Sequence, residues 1–431
     1  MKLAVAGSQV LLWRALQKGA GMLVALVVMQ GLGPSGNGLY SLSVTTITVL
    51  AALAAGGVGL ASVPRLATGE QSPRRVGRAQ VLWVASMAGV LLLLALAVRL
   101  GPAWAWLTSS LGWTEPLLMA VTLAVLGMVT FETANYDLLA AGRVVMGTCA
   151  AALRTLSLAL ALGMVLVLGR SSFPLAITAF ACAQVLAALV LAGRARMALR
   201  SLPEPTSTPT SGLWRLTGGL VRFGWLGQMS SIVYLLLLRL DQFLVEGYLD
   251  VAAVGIYAAA AWAAELLWLV PEALNPLVVH TAARAGDHGR DDTSARAVRL
   301  GLGVTALAAL PLALVCEPLL GLLRDGAYLP AVTPLRVLLP GVVAFAPGVI
   351  LAGDFIGRGR PHWNTQASVV TVVVNVGLCL VLIPRHGILG AAWASTVAYA
   401  LGSAVMVIRF RRLTGLAWST ILLPRPSDLR F

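Results

Sequence analysis

The chain has 431 residues, of which 58% are hydrophobic and only 11% are charged, with 31 Lys and Arg against 17 Asp and Glu. An ordinary soluble domain carries about 25% charged residues, so this chain cannot cover its own surface with polar groups. The composition excludes a soluble enzyme and predicts a protein that lipid solvates.

Long apolar runs, such as residues 119–127, 156–168 and 369–383, predict helices, because barrel strands would alternate apolar and polar residues. A helix satisfies its own backbone polar groups in lipid and needs about 20 apolar residues to cross it. We therefore predict an all-α polytopic membrane protein with about 12 transmembrane helices. In chain order the predicted spans are 11–32, 40–63, 79–100, 116–139, 144–168, 173–193, 223–243, 252–275, 299–320, 332–356, 364–383 and 388–408.

The basic residues are distributed unequally between the two sides of these spans. With the N-terminus inside, the inward segments hold 24 Lys and Arg and the outward segments hold 5. This distribution follows the positive-inside rule, and it predicts that both termini are cytoplasmic in a bacterial or archaeal inner or plasma membrane. The positive charge therefore indicates orientation and no nucleic-acid partner. Arg14 and Lys18 open a first span that we expect to be retained, not cleaved as a signal peptide.

A Pro-, Ser- and Thr-rich segment at Ser201–Gly212 divides the chain. The predicted domains are an N-terminal lobe at 1–200 with spans 1–6, a cytoplasmic linker at 201–216, a C-terminal lobe at 217–412 with spans 7–12, and a cytoplasmic tail at 413–431.

The two halves resemble each other when they are shifted by 217 residues. Leu32–Tyr40 then aligns with Leu249–Tyr257, and Asp137–Arg143 aligns with Asp354–Arg360. Since both halves begin inside, they are predicted to be parallel, pseudo-symmetric repeats with a substrate site between them.

Each half also places an Asp at the end of a span and a Gly–Arg pair in the inward turn. We expect Asp137 with Arg143, and Asp354 with Arg360, to have a structural or gating role. The Asp would pair with the Arg or with a neighbouring loop and fix the inward end of its half.

Motifs for enzymatic chemistry are missing. The sequence has no GxxxxGK[ST] motif and only two lysines, and its four histidines form no HExxH motif. The four cysteines form no close pair. We predict no catalytic residue, no metal and no cofactor.

Polar residues inside apolar spans are costly and usually face a cavity. At helical spacing they group by span: Gln228, Ser231, Arg239 and Gln242 in span 7; Trp262, Glu265 and Glu272 in span 8; Ser41 with Thr45 and Thr48 in span 2; and Arg154 near the middle of span 5.

Each group has a structural alternative. The Ser and Thr face of span 2 is also suited to close helix packing. Arg239 can extend to the outer interface or pair with Asp241. Glu265 and Glu272 can form a structural ion-pair set or bind a coupling proton or cation.

Four stretches carry a resemblance to a known family. LGPSGNGLYSL, GLASVPRLA, RLDQFLVEGYLDVAAVGIYAAA and NVGLCLVLIPRHGILGAAW occur in this order. Together they resemble the polysaccharide-exporting branch, the lipid-linked oligosaccharide or O-antigen flippases, of the multidrug/oligosaccharidyl-lipid/polysaccharide (MOP) flippase superfamily. The resemblance covers nearly the whole chain.

The resemblance implies two six-helix lobes around a central cavity that opens alternately inward and outward. Its members move undecaprenyl-diphosphate-linked oligosaccharides to the outer leaflet for lipopolysaccharide or exopolysaccharide synthesis, beside polymerases and glycosyltransferases. Arginine suits a diphosphate because its planar fork donates several hydrogen bonds. Arg239 and then Arg154 are the expected substrate contacts. Gln228, Ser231, Gln242, Ser41 and Trp262 would line the cavity, and Glu265 and Glu272 would couple H⁺ or Na⁺.

Two related functions remain as alternatives. Lipid II flippases of the superfamily usually carry two further C-terminal helices, and the stretch after Arg412 is expected to be too short for them. Multidrug antiporters also have 12 spans, but their cavities favour acidic residues, whereas the charge within span 5 is positive. A membrane polysaccharide polymerase is the third and weakest candidate.

Overall fold

The computed structural model describes residues 2–111, 113–204, 212–284, 287–423 and 425, which are helical almost throughout and include no strand. Residues 205–211 of the predicted linker and 426–431 of the predicted tail lie outside the described residues. The α-helices are α1 Lys2–Ala55, α2 Val58–Ala67, α3 Pro73–Leu100, α4 Ala103–Leu111, α5 Glu115–Ala140, α6 Val144–Val167, α7 Phe173–Arg200, α8 Leu213–Tyr248, α9 Val251–Glu265, α10 Leu269–Arg284, α11 Asp287–Gly321, α12 Val332–Gly357, α13 His362–His386, α14 Ile388–Thr414 and α15 Trp418–Leu422.

Eleven stretches of helix in the described ranges are long and apolar enough to cross a membrane. The first, Leu12–Ala55, has 44 residues. At about 1.5 Å per residue it is roughly twice as long as a hydrocarbon core is thick. It therefore contains both of the first two predicted spans. The prediction of an all-α, multi-pass membrane protein is confirmed.

The boundary between the first two spans differs from the prediction. Only Gly33, at φ 67° and ψ −177°, leaves the helical conformation, and Pro34 opens the next helical segment. The expected turn at 33–39 is therefore wrong, because a single glycine with positive φ kinks the helix and the proline after it resumes the helical conformation. The second segment also ends early, at Ala55, where Gly56 and Gly57 both have positive φ.

The first of two compact units comprises Met1–Leu32 and Leu39–Ile232. Its core lies between α5 and α7, where Phe131, Leu138 and Leu191 are buried among alanines. A Cβ on Gly127 would lie 3.0 Å from the backbone of Gln184. Small residues thus allow the two backbones to approach closely, as is usual when helices pack in lipid.

The second unit comprises Gly33–Gly38 and Val233–Phe431. Its core lies along α12 and α14 and includes Ile350, Phe355 and Phe410. Gly341 again makes the approach close, because a Cβ there would lie 2.5 Å from the Cα of Thr396.

A reciprocal glycine contact lies within the second unit. A Cβ on Gly38 would lie 1.9 Å from the carbonyl oxygen of Val251, and a Cβ on Gly255 would lie 1.9 Å from that of Pro34. Asn37 Nδ2 also donates to the Gly255 carbonyl at 2.8 Å. The shift of 217 residues relates Gly38 to Gly255 and Pro34 to Val251. The contact is therefore reciprocal in the way that an isologous interface is.

We predict that Gly38→Ala and Gly255→Ala each destabilise the protein by about 2 kcal/mol, because the added methyl group displaces a backbone carbonyl. Thermal unfolding of the purified protein in detergent measures the loss. Gly21→Ala in the same helix is the matched control, since nothing lies within 4 Å of a Cβ there. A Gly38→Ala protein as stable as Gly21→Ala would contradict the reciprocal contact.

Candidate functional site

Arg239 and Glu265 form an ion pair between α8 and α9. Arg239 Nη1 lies 2.7 Å from Glu265 Oε1, and Nη2 donates to Oε2 at 2.9 Å. The side chains are 20% and 21% exposed. Two parallel charge-assisted bonds make this the strong, fork-to-fork arrangement of arginine and carboxylate. Both residues were predicted from the sequence to be functional, but their pairing was not.

Glu265 lies where the eighth predicted span is interrupted. α9 ends at Glu265, a 3₁₀ turn covers Leu266–Trp268, and α10 begins at Leu269. The single span predicted at 252–275 is confirmed as Val251–Pro276, and it contains this 3₁₀ turn at mid-length. Pro271 explains part of the departure from α-helix, because proline has no N–H to donate to the preceding turn. A short 3₁₀ stretch inside a helix often marks a hinge.

An aromatic cluster holds this turn in place. Trp268 is 2% exposed, and its indole N–H donates to the Val342 carbonyl at 3.1 Å. Its ring centroid lies 5.3 Å from that of Phe345 and 5.6 Å from that of Tyr399. The position of Glu265 at the end of α9 is thus determined by packing on α12 and α14.

A second polar cluster is centred on Asp241 of α8, which is 2% exposed. Oδ2 accepts from the Tyr257 hydroxyl at 2.5 Å and from the Ser395 hydroxyl at 3.2 Å. Oδ1 accepts from the Gln242 backbone N–H at 2.9 Å, and Asn375 Nδ2 donates to Ser395 at 3.1 Å. Four helices, α8, α9, α13 and α14, thus meet at one buried carboxyl group.

This cluster is not among the sites predicted from the sequence. Asp241 was considered only as a partner for Arg239, which binds Glu265 instead. A signal was available, since Asp241, Asn375 and Ser395 are polar residues inside three apolar spans. Their separation along the chain concealed that they meet.

The other residues predicted to line a cavity have different environments. Gln228 is 3% exposed and donates from Nε2 to the Ala52 carbonyl at 2.9 Å, within the first unit. Ser41 and Gln242 are also buried, Trp262 and Glu272 are half-buried, and Ser231 is exposed. Their assignment to a cavity stays a prediction.

Arg154 lies in α6 with its guanidinium carbon 4.2 Å from the centroid of the Phe131 ring. The described part of the chain offers it no carboxylate within ion-pair distance. A cation–π contact accounts for its position but leaves the positive charge without an anion.

The two Asp residues at the span ends differ in their partners. Asp137 accepts from Gln80 Nε2 at 2.7 Å. Asp354 accepts from Ser294 at 2.6 Å and binds Arg358, four residues on, with Nε 2.5 Å from Oδ2. The expected partners lie elsewhere: Arg143 is exposed, and the guanidinium of Arg360 lies over the Trp363 ring.

Arg358 therefore occupies the position beside Asp354 that was predicted for Arg360. It also binds Asp291 at 2.6 Å and is 5% exposed. Burial on its own would lower the pKa of Arg358, but the hydrogen bonds and charges of Asp354 and Asp291 raise that pKa above its ordinary value. This arginine therefore remains charged.

Within the described residues, no three His, Cys, Asp or Glu side chains are grouped as metal ligands would be. No family model matches the chain.

Two curated proteins match about half of it. "Probable flippase AglR" of Haloferax volcanii is 25% identical over 48% of this chain and 43% of its own length. "Probable multidrug resistance protein NorM" of Caulobacter vibrioides is 30% identical over 49% of this chain and 47% of its own length. The chain spans about half the length of the curated relatives it matches.

Solved structures match nearly the whole chain in fold. Lipid II flippase MurJ in an inward closed conformation gives a TM-score of 0.73 at 12% identity, over 94% of this chain and 87% of that one. An inward-facing multidrug resistance MATE family transporter of the MOP superfamily gives 0.66 at 15% identity, over 92% and 94%. At these identities the likeness shows the fold.

We predict that Glu265→Gln lowers the free energy of unfolding by about 2 kcal/mol, because Arg239 is left charged in an apolar region. The double variant Arg239→Gln with Glu265→Gln should recover most of the loss. Glu317→Gln is the control, because its partner Arg336 and Glu317 itself are 45% and 62% exposed and such pairs contribute little. Equal unfolding temperatures for Glu265→Gln and Glu317→Gln in detergent would contradict a stabilising role for the pair.

Proposed function

We propose that the chain is a member of the MOP flippase superfamily, and that it is a flippase which moves undecaprenyl-diphosphate-linked oligosaccharide from the cytoplasmic to the outer leaflet. The substrate class is supported by a flippase among the curated relatives and by the fold likeness to a lipid II flippase. Polysaccharide biosynthesis, with a polymerase and glycosyltransferases acting beside this protein, follows from such a substrate.

The Arg239–Glu265 pair carries the proposal. A diphosphate can offer a guanidinium two oxygen atoms for paired hydrogen bonds, as a carboxylate does, and it carries more charge. The arriving substrate displaces Glu265 from Arg239, so that the arginine exchanges one anion for another and is never left unpaired. Arg154, which has no carboxylate partner in the described part of the chain, remains a separate candidate for substrate contact within the first unit.

Displacement of Glu265 also provides a route to ion coupling. A carboxylate released into an apolar region is costly, so it takes up a proton or a cation. Glu265 lies directly before the 3₁₀ turn at Leu266–Trp268, where α9 and α10 can change their relative angle. The uptake of a proton or cation by Glu265 is thereby coupled to a change in that angle. Asp241, surrounded by Tyr257, Ser395 and Asn375, is the second candidate to bind a coupling H⁺ or Na⁺. Glu272 remains a third.

The orientation is part of the proposal. The excess of basic residues in alternate segments favours cytoplasmic termini in an inner or plasma membrane. Substrate then enters from the side on which the sugar chain is assembled.

A multidrug or organic-cation antiporter is the second candidate. Asp241 favours it, because a buried carboxyl group suits a cation better than a diphosphate. The curated multidrug resistance relative supports the same choice.

Reconstitution distinguishes the two functions. In liposomes with a fluorescent undecaprenyl-diphosphate oligosaccharide, wild-type protein should move the lipid to the leaflet that a membrane-impermeant quencher reaches. Arg239→Ala should be slower by about tenfold or more, as expected for the loss of a charge-assisted pair of bonds. Arg336→Ala removes an exposed arginine and serves as the control. Wild-type protein that leaves the lipid in place and exports a cationic dye would establish the antiporter instead.

Asp241→Asn tests the coupling assignment. The substitution keeps the size of the side chain but removes the charge, so transport should lose its dependence on a proton or sodium gradient while gradient-free movement of substrate persists. Asp250→Asn is the control, because Asp250 caps α9 from an exposed position and asparagine caps equally well. Unchanged gradient dependence in Asp241→Asn would remove Asp241 from the coupling mechanism.

A further inference from the structure

A cluster of arginine and tryptophan lies where α12 and α14 end and α13 begins. The guanidinium carbons of Arg360 and Arg409 lie 4.8 Å and 5.8 Å from the centroid of the same Trp363 ring. Arg409 Nη1 also donates to the Trp363 carbonyl at 3.0 Å. The ring itself is fixed edge-on against buried Phe355, with centroids 5.1 Å apart. We call Arg360, Trp363 and Arg409 the Trp363 cluster.

The cluster carries the positive charges of Arg360 and Arg409. Asp354 and Asp291 are both bound by Arg358, as described above. Neither Arg360 nor Arg409 makes an ion pair with any residue that the structure describes. Two like charges beside one ring repel each other, and a cation–π contact offsets only part of that cost.

The neighbourhood of the cluster is apolar and exposed. Ile356 at the end of α12 is 50% exposed, Val370 and Val373 on α13 are 43% and 65% exposed, and Ile408 on α14 is 36% exposed. A molecule with phosphate oxygens at one end and hydrocarbon at the other matches the basic cluster with its phosphate and the exposed apolar side chains with its hydrocarbon. Tryptophan and arginine at the end of a span mark the headgroup level of a bilayer, and basic pockets there bind anionic lipid headgroups.

We propose that the Trp363 cluster binds the phosphate headgroup of an anionic phospholipid from the leaflet at this end of the helices. The headgroup neutralises Arg360 and Arg409 together, and the acyl chains lie along the exposed faces of α13 and α14. The site is separate from the Arg239–Glu265 pair, and it does not depend on which substrate is transported.

Native mass spectrometry of delipidated protein in detergent tests the site, with phosphatidylglycerol and phosphatidylcholine as probes. Wild-type protein should retain phosphatidylglycerol about tenfold more tightly than phosphatidylcholine, a difference expected for a charge-assisted contact. Arg360→Gln with Arg409→Gln should abolish the preference, and the matching lysine variants should retain part of it, because lysine keeps the charge but loses the planar fork. Should the double glutamine variant not fold, the single Arg360→Gln variant takes its place, since the side chain of Arg360 makes no hydrogen bond with the residues that the structure describes.

Arg196→Gln with Arg412→Gln is the matched control, because it removes two exposed arginines outside the cluster. An equal loss of the phosphatidylglycerol preference in this control would overturn the proposal, because it would show that the total positive charge of the protein determines lipid retention. Equal retention of both lipids by wild-type protein would overturn it outright. Full displacement of phosphatidylglycerol by inorganic phosphate would show that the cluster binds small anions and is not specific for a phospholipid, which would also overturn the proposal. Retention of undecaprenyl diphosphate alone would assign the cluster to the substrate and overturn the proposal as well.

Discussion

A charged group inside an apolar span must find its partner at the same depth, and the second unit is organised around this constraint. Apolar packing provides little net drive in lipid, because lipid tails are as apolar as the side chains. Polar contacts therefore specify which helices meet. Arg239 joins α8 to α9 through Glu265, and Asp241 joins α8 to α9, α13 and α14. α8 thus carries the residues on which the arrangement of its neighbours depends, and the same residues are the candidates for transport.

Apolar runs determine where helices form, so the spans could be predicted from the sequence. The structure differs from these predictions where single residues or distant contacts change a helix locally. Gly33 kinks α1, and Trp268, which packs on α12 and α14, lies in the 3₁₀ turn after Glu265. Neither a conformation with positive φ nor a contact with a distant helix can be deduced from hydropathy.

The site could be predicted only in part, for a related reason. Arg239 and Glu265 were selected singly because a charge in a span is costly, whereas their pairing depends on how two helices are rotated. Asp241 and Ser395 lie 154 residues apart, so their contact has no local pattern. The two Gly–Arg turns suggested Arg360 as the partner of Asp354, but helical geometry favours Arg358, which is four residues on and faces the carboxylate.

The reciprocal contact at Gly38 and Gly255 restricts how the chain can diverge after a gene duplication. Duplicated segments ordinarily drift apart, since each copy is free to change once the other retains the original role. Here Gly38 faces the carbonyl of Val251, four residues before Gly255, and Gly255 faces the carbonyl of Pro34, four residues before Gly38. A side chain at either glycine therefore strains the same contact. The two positions are therefore expected to be retained together, since a change at one removes the fit that the other requires.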